Sequence, residues 1–177
     1  FNTYKEYYDI LSNGNFKENV KNNKVYLEDK DIENNLIIND YYNLFHKNIV
    51  IILSGSHTDE WFISKIRDNF YEHRIFTKEY VCSAHKETRN VLDIIEKYNN
   101  MDRNIIFITI AGRSNALSGI VACNTKYPVI ACPPLKDKQD YNINIHSTLQ
   151  MPSNTPTMTI LDPVNVVLAC KKIFNLN

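Results

Sequence analysis

The stretch NIVIILSGSHTD, residues 48–59, joins a continuous apolar run to a polar turn. An unbroken run of this length is typical of a strand buried on both faces of a parallel sheet. Beyond the turn, Phe62, Ile66 and Phe70 recur at the spacing of one helix face. The stretch therefore predicts a strand, a turn and a helix, which is the repeating unit of an α/β fold.

The same unit recurs along the rest of the chain. Apolar runs predict further strands at Ile75–Cys82, Asn104–Ile110, Tyr127–Cys132 and Thr157–Leu161. Helical spacing predicts helices at about Thr88–Tyr98, Ser114–Cys123 and Pro163–Phe174, and the polar segment Asp137–Asn144 is predicted to be a loop. Strands that alternate with helices indicate one parallel sheet with helices on both faces.

The composition changes near residue 48. Residues 1–47 are rich in Asn and charge, and we expect a linker or extension there, with a loop at Asn13–Asn23. Tyr4–Leu11 and Ile37–Phe45 carry enough apolar residues to order against the domain, which we expect to span residues 48–177. Because the chain opens at Phe1 rather than Met, we expect it to be a piece of a longer polypeptide.

Charge and cysteine content exclude several classes of protein. The 177 residues include 20 Lys and Arg and 20 Asp and Glu, so charge predicts no nucleic acid and no anionic membrane as a partner. No apolar stretch approaches the roughly 20 residues of a membrane span. The four cysteines form no CxxC pair, and we expect reduced, buried thiols in the cytoplasm. The five histidines are dispersed, so we expect no metal.

Polar turns follow the predicted strands. Gly55–Asp59, Ser83–Lys86 and Ala111–Asn115 each come directly after a strand, and Cys132-Pro133-Pro134 closes a fourth. The carboxyl ends of parallel strands share one edge of a sheet, where ligands bind. The sequence therefore predicts one composite polar pocket.

The first turn has the chemistry of a ribose phosphate site. Ser56 and Thr58 offer hydroxyls beside a helix N-terminus, which suits a phosphate, whereas Asp59 suits a ribose hydroxyl. An ordinary helix cap is the alternative. Gly55 and Gly112 lie at turns of a glycine-poor chain, which indicates either a close backbone approach or an ordinary tight turn.

The other two turns carry an imidazole and cations. His85 has the chemistry of a general acid and base near neutral pH, and Lys86 can neutralise a phosphate or carboxylate. A solvated surface pair is the alternative. Arg113-Ser114-Asn115 either receives a small anion or is a polar helix start.

Four motifs, in this order and spacing, resemble the phosphoribosylaminoimidazole carboxylases over about residues 48–177. They are SAHK at Ser83–Lys86, AGRSNALSG at Ala111–Gly119, PVIACPP at Pro128–Pro134 and STLQMPS at Ser147–Ser153. The first two are similar to the branch that uses carbon dioxide directly, rather than the branch that isomerises an N-carboxylated substrate.

The resemblance implies a flavodoxin-like three-layer αβα sandwich that assembles as a homo-octamer with active sites between subunits. It implies carboxylation of 5-aminoimidazole ribonucleotide by carbon dioxide to 4-carboxy-5-aminoimidazole ribonucleotide in de novo purine biosynthesis. No ATP, biotin, metal or other cofactor is implied. Relatives are often fused to the next enzyme of the pathway, so we expect this domain to be one module of such a polypeptide.

The resemblance also implies roles for single residues. Ser56 and Asp59 hold the ribose phosphate, His85 transfers the proton, and Gly112 to Ser114 form the pocket for carbon dioxide or the new carboxylate. The predicted catalytic residues are His85 and Lys86. The predicted substrate-binding residues are Gly55, Ser56, Thr58, Asp59, Ser83, Ala84, Lys86, Gly112, Arg113, Ser114 and Asn115.

Two other functions stay open at this point. One is a catalytically silent oligomerisation or ribonucleotide-binding module, which the intact SAHK and AGRSN motifs disfavour because a scaffold does not need them. The other is the mutase of the N-carboxylated isomer, which Lys86 and Arg113 disfavour. One difference from the family pattern is Asn154, which stands where Gly is common, and Asn tolerates a positive φ angle better than most residues.

Overall fold

A computed structural model describes residues 20–21, 24–25 and 47–175 of the chain. Near the N-terminus, strand β1 (Val20–Lys21) pairs antiparallel with strand β2 (Lys24–Val25). The expected loop at Asn13–Asn23 therefore contains a short strand at its end, where backbone pairing forms without an apolar pattern. The predicted ordered segments at 4–11 and 37–45 lie outside the described residues.

Five parallel strands form the main sheet. They are β3 (Asn48–Ser54), β4 (Phe76–Val81), β5 (Asn104–Ile110), β6 (Val129–Ala131) and β7 (Met158–Thr159). Their order across the sheet is β4-β3-β5-β6-β7. Within this sheet the chain order is thus 2-1-3-4-5, which is the flavodoxin-like arrangement. The predicted parallel α/β sheet is confirmed, although β6 and β7 are shorter than the apolar runs that predicted them.

The register aligns the ends of the three longest strands, β3, β4 and β5. Ile49 pairs with Phe76 and Ile105, and Ser54 at the other end pairs with Val81 and Ile110. The three strands therefore stop at one level, and the turns that follow them emerge side by side.

Residues 47–175 also form five α-helices. They are α1 (Glu60–Glu72), α2 (Thr88–Asn99), α3 (Ala116–Asn124), α4 (Lys138–Leu149) and α5 (Pro163–Phe174). A 3₁₀ turn at His57–Asp59 precedes α1. Pro163 occupies the first turn of α5, where its missing N–H costs nothing because the first helical amides lack partners in any case.

The predicted polar loop at Asp137–Asn144 is wrong, because this segment begins helix α4. Asp137 caps the helix, and its side chain accepts a hydrogen bond from the backbone N–H of Asp140. The buried residues of α4 are Asn144 and Thr148, both polar. An amphipathic pattern was therefore missing from the sequence, and polar contacts hold this helix instead.

Two apolar clusters, one on each face of the sheet, make the three layers. Alternation along β3 sends Ile49, Ile51 and Leu53 to one face and Val50 and Ile52 to the other. The first cluster packs against α2 and α3 through Val91, Ile95, Tyr98, Leu117 and Val121. The second packs against α1 and α5 through Phe62, Ile63, Ile66, Phe70, Val166, Val167, Cys170 and Phe174. The expected αβα sandwich is confirmed.

All four cysteines are free thiols. Cys82, Cys132 and Cys170 are buried, as expected, whereas Cys123 is exposed, contrary to expectation. Burial raises the pKa of Cys132 and of Cys170 to about 12. Deprotonation in the core is costly because the thiolate would lose its hydration, so these two thiols are packing groups.

No helix in the described part of the chain is long and apolar enough to cross a membrane. Among residues 47–175 and the β1–β2 pair, no three His, Cys, Asp or Glu side chains are grouped to hold a metal ion.

Candidate active site

A cavity of about 380 Å³ opens at the carboxyl ends of β3, β4, β5 and β6. This volume is within the range of small-molecule sites. Every predicted site residue except Lys86 and Asn115 lines it. The lining residues are Gly55, Ser56, Thr58, Asp59, Ser83, Ala84, His85, Ala111, Gly112, Arg113, Ser114, Ala116, Leu117, Pro134, Lys136, Asp140 and Asn144. The fold thus brings the three turns to one place.

The turn after β3 has unpaired backbone amides beside the cavity. The Ser56 hydroxyl accepts a hydrogen bond of 3.2 Å from the backbone N–H of Thr58, and the two hydroxyls lie 2.9 Å apart. Among the described residues, the backbone N–H groups of Ser56 and His57 have no protein acceptor. Open amides at a helix start favour an anion.

The turn after β4 holds His85 at the mouth of the cavity. The Glu87 carboxylate accepts a hydrogen bond of 3.1 Å from the backbone N–H of Ser83. The Ser83 hydroxyl accepts one of 3.4 Å from the backbone N–H of Lys86. The N–H groups of Ala84 and His85 keep no acceptor within the described part of the chain. These two hydrogen bonds hold the ends of the turn, and Ala84 and His85 in its middle line the cavity.

Lys86 is exposed, and its side chain is not part of the cavity wall. Its predicted catalytic and substrate-binding roles stay predictions.

The backbone of the turn after β5 is strained. Ser114 has a φ of 55°, in the left-handed region that residues other than Gly seldom adopt. In residues 47–175, no acceptor is paired with the N–H groups of Gly112, Arg113 and Ser114. Successive open amides around a left-handed residue form a concave anion site. The sequence suggested such a pocket, and the backbone geometry is suited to it.

The backbone at Gly112 packs closely against Asn144, which decides between the two explanations that the sequence left open for this glycine. A Cβ atom there would lie 3.3 Å from Nδ2 of Asn144, which is tighter than an ordinary contact. At Gly55 the nearest atom would be the Cβ of Ala111 at 3.8 Å, an ordinary distance. Close packing therefore explains the glycine at 112, and an ordinary turn explains the one at 55.

Asn115 turns away from the cavity and anchors the site turn. Its Oδ1 accepts hydrogen bonds from the N–H and the hydroxyl of Ser118, and its Nδ2 donates to the hydroxyl of Thr148 at 3.0 Å. Its backbone N–H donates to the hydroxyl of Ser147. The Ser118 hydroxyl also shares a hydrogen bond of 2.7 Å with the hydroxyl of Thr109 on β5. This buried network ties α4 to α3 and to the sheet.

The fourth wall of the cavity was predicted only in part, because the sequence placed the Cys132-Pro133-Pro134 segment at the pocket but gave no site role to the residues that follow it. Pro134, Lys136, Asp140 and Asn144 come from the end of β6 and from α4. The motif Cys132-Pro133-Pro134 marked this strand end. The Asp residues at 137 and 140 were a further signal, because acidic residues three apart are typical of a helix start.

Charges of both signs face the cavity. Arg113 lies 3.8 Å from Asp140, and its side chain is 68% exposed. Burial raises the pKa of Asp59, the nearby Lys136 partly opposes this, and Asp140 adds to it. Asp59 lines the cavity and makes no capping hydrogen bond to α1, so no cap bond to the helix stabilises its charge.

We expect Asp59→Asn to stabilise the fold at pH 7. The folded state holds this proton more tightly than the unfolded chain, so stability falls as pH rises from the ordinary value of 3.8 through the raised pKa. The amide removes that cost, and the gain disappears below about pH 3.8. Urea unfolding at pH 7 and pH 3.5 measures it, with exposed Asp68→Asn on α1 as the control. A variant less stable than wild type at pH 7 would contradict the interpretation.

The fold and cavity together define a flavodoxin-like α/β protein with an anion-receptive pocket at the carboxyl edge of its sheet. The AIR carboxylase family model matches residues 49–177. The chain therefore belongs to the AIR carboxylase family.

Individual relatives agree with this assignment. The chain is 42% identical over 126 residues to phosphoribosylaminoimidazole carboxylase of Archaeoglobus fulgidus, covering 71% of this chain and 68% of that protein. It is 34% identical over 129 residues to the human bifunctional phosphoribosylaminoimidazole carboxylase/phosphoribosylaminoimidazole succinocarboxamide synthetase, covering 72% of this chain and 30% of that protein. The crystal structure of Treponema denticola PurE superimposes with a TM-score of 0.69 at 40% identity, covering 73% of this chain and 81% of that one.

Proposed function

We propose that this protein carboxylates 5-aminoimidazole ribonucleotide with carbon dioxide to give 4-carboxy-5-aminoimidazole ribonucleotide, in purine biosynthesis. The observation that carries the proposal is the convergence of His85 with three amide-presenting turns around one cavity in a member of this family. A scaffold would need neither the imidazole nor the strained turn.

The three turns divide the substrate between them. The open amides of Ser56 and His57 receive the phosphate, and Asp59 accepts a hydrogen bond from a ribose hydroxyl. The strained turn at 112–114 receives carbon dioxide and then the new carboxylate. We place the aminoimidazole ring beside His85, which lines the same cavity.

The chemistry is an electrophilic substitution on an electron-rich ring. The enamine carbon of the aminoimidazole attacks carbon dioxide, which forms a carbon–carbon bond and leaves that ring carbon tetrahedral with its hydrogen still attached. His85 removes this proton, the electron pair of the carbon–hydrogen bond returns to the ring, and aromaticity is restored. A positioned base of this kind contributes roughly 10²–10⁴-fold, and alignment of the two reactants supplies more.

Because the ring carbon is itself nucleophilic, we propose that the reaction needs neither ATP nor biotin to activate carbon dioxide. The amides of residues 112–114 stabilise the developing carboxylate, where preorganised donors are most effective.

The proposal extends to assembly and context. Exposed apolar side chains on α4 and α5 support burial against further copies in a homo-octamer, which would also cover the open His85. They are Tyr141, Ile143, Leu149, Val164 and Leu168. We assign residues 48–177 to the carboxylase domain and residues 1–47 to a linker or extension. We also propose that the protein is cytoplasmic. The named bifunctional relatives support a fusion to another purine enzyme.

A turnover assay tests the function. We expect the purified protein to consume 5-aminoimidazole ribonucleotide in the presence of bicarbonate, without ATP, with product followed by ultraviolet absorbance. Activity only with the N-carboxylated isomer would establish the mutase instead. Binding of the ribonucleotide by calorimetry with no turnover of either substrate would establish a silent binding module.

A further inference from the structure

Lys136 lies between β6 and α4, in the wall of the cavity, and has no role in the catalytic scheme above. We propose that Lys136 is the residue that neutralises the substrate phosphate, moving from a resting place over the ring of Trp61 onto the phosphate when the ribonucleotide binds. The inference rests on the proposed function and names a recognition residue for the same site.

The cavity has few cations to offer a phosphate. In the described part of the chain, Arg113 and Lys136 are the Lys and Arg residues of its wall. Arg113 already lies 3.8 Å from the carboxylate of Asp140. Lys136 has no carboxylate within ion-pair distance among residues 47–175. Of the two cations in the wall, Lys136 is therefore the one that no ion pair holds in place.

The carboxylates in the cavity wall would oppose phosphate binding unless a cation offset their charge. Asp59 and Asp140 both face the cavity, and each would repel a dianionic phosphate. Lys136 is close enough to Asp59 to lower its pKa, against the larger effect of burial. It therefore stands beside the turn whose open amides suit the phosphate, where its charge offsets that of the carboxylates.

The resting place of Lys136 is weakly held. Its Nζ lies 5.8 Å from the centroid of the Trp61 ring, and the Nζ of Lys65 lies 5.2 Å from the same centroid. Trp61 is half-buried, and the cation–π contact of an ammonium with its ring is weaker than an ion pair with a phosphate. Two ammonium groups that share one ring also repel each other. A phosphate held by backbone amides offers a stronger partner, so binding draws Lys136 off the ring and leaves Lys65 in place.

Lys136→Gln and Lys65→Gln form a matched pair, because both remove an ammonium from Trp61 but only the first removes one from the cavity wall. We expect Lys136→Gln to raise KM for the ribonucleotide about tenfold, equivalent to about 1.4 kcal/mol, with kcat within about twofold of wild type. Lys65→Gln should keep both constants. Equal KM values for the two variants would overturn the proposal.

A dephosphorylated probe identifies the group that Lys136 contacts. By calorimetry, 5-aminoimidazole riboside should bind Lys136→Gln as it binds wild type, whereas the ribonucleotide should bind about tenfold more weakly. An equal loss for riboside and ribonucleotide would overturn a phosphate contact, since the lysine would then act on the shared part of the ligand or on the fold.

Trp61 reports the movement directly because it is the only tryptophan in the chain. Titration of wild type with ribose 5-phosphate should change its fluorescence, as one ammonium leaves the ring, and the change should be absent in Lys136→Gln and present in Lys65→Gln. This measurement needs no turnover, so it tests Lys136 even if the carboxylation assay fails. An unchanged emission in saturated wild type, or the same change in Lys136→Gln, would overturn the proposal.

Discussion

His85→Asn is expected to lower kcat for carboxylation by roughly 10²–10⁴-fold, the usual contribution of a positioned acid–base group. Asparagine keeps the size and polarity of the side chain but cannot accept the ring proton, so the tetrahedral intermediate would return to reactants. Binding of the ribonucleotide should change little, because the backbone amides that receive the phosphate are untouched. Steady-state kinetics and calorimetry together separate the two effects.

The matched control is His146→Asn, the same substitution at an exposed position of α4 that is not part of the cavity wall. It should keep full activity. If His85→Asn retained more than about a tenth of wild-type kcat, His85 would not be the proton-transfer residue, and the base would have to be sought elsewhere in the cavity.

Asn115→Ala is expected to lower the free energy of unfolding by about 3 kcal/mol. The side chain is 7% exposed and joins Ser118 and Thr148, so truncation leaves buried polar groups without partners and also removes the cap of α3. Because α4 would lose part of its attachment, the cavity wall should loosen and KM should rise as well. Urea denaturation and kinetics on the same preparation measure both consequences.

Asn124→Ala provides the comparison at the other end of the same helix. Asn124 is exposed, and its side chain donates one hydrogen bond to the carbonyl of Ile120, so we expect a cost below about 0.5 kcal/mol. The sequence predicted Asn115 as a substrate-binding residue. A large rise in KM with unchanged stability would support that direct role and contradict the anchoring role that its contacts indicate.

Helix α4 shows why part of the site could not be predicted from the sequence. Its buried positions are Asn144 and Thr148, which look like loop residues in a sequence pattern. They are buried because Nδ2 of Asn144 donates to the carbonyl of Pro134 at 2.8 Å and Thr148 accepts from Asn115. These partners lie outside the helix, 10 and 33 residues away along the chain, so local periodicity cannot predict them.

The turns show the opposite case. SGSHTD, SAHK and AGRSN each follow a buried strand, and parallel pairing places their strand ends at one level. Their meeting at one edge therefore followed from the apolar runs alone. Packing decided which side chains line the cavity. Asn115 is buried by its hydrogen bonds to Ser118 and Thr148, whereas Lys86 is exposed to solvent.

The amino-acid sequence by itself determined the order of strands and helices, the αβα class and the family motifs, because these depend on local apolar spacing and on residue identity. The tertiary structure alone decided the polar helix α4, the left-handed backbone at Ser114 and the entry of Lys136, Asp140 and Asn144 into the cavity. These features arise from contacts between segments far apart in the chain, whose free energy appears only once the sheet has brought them together.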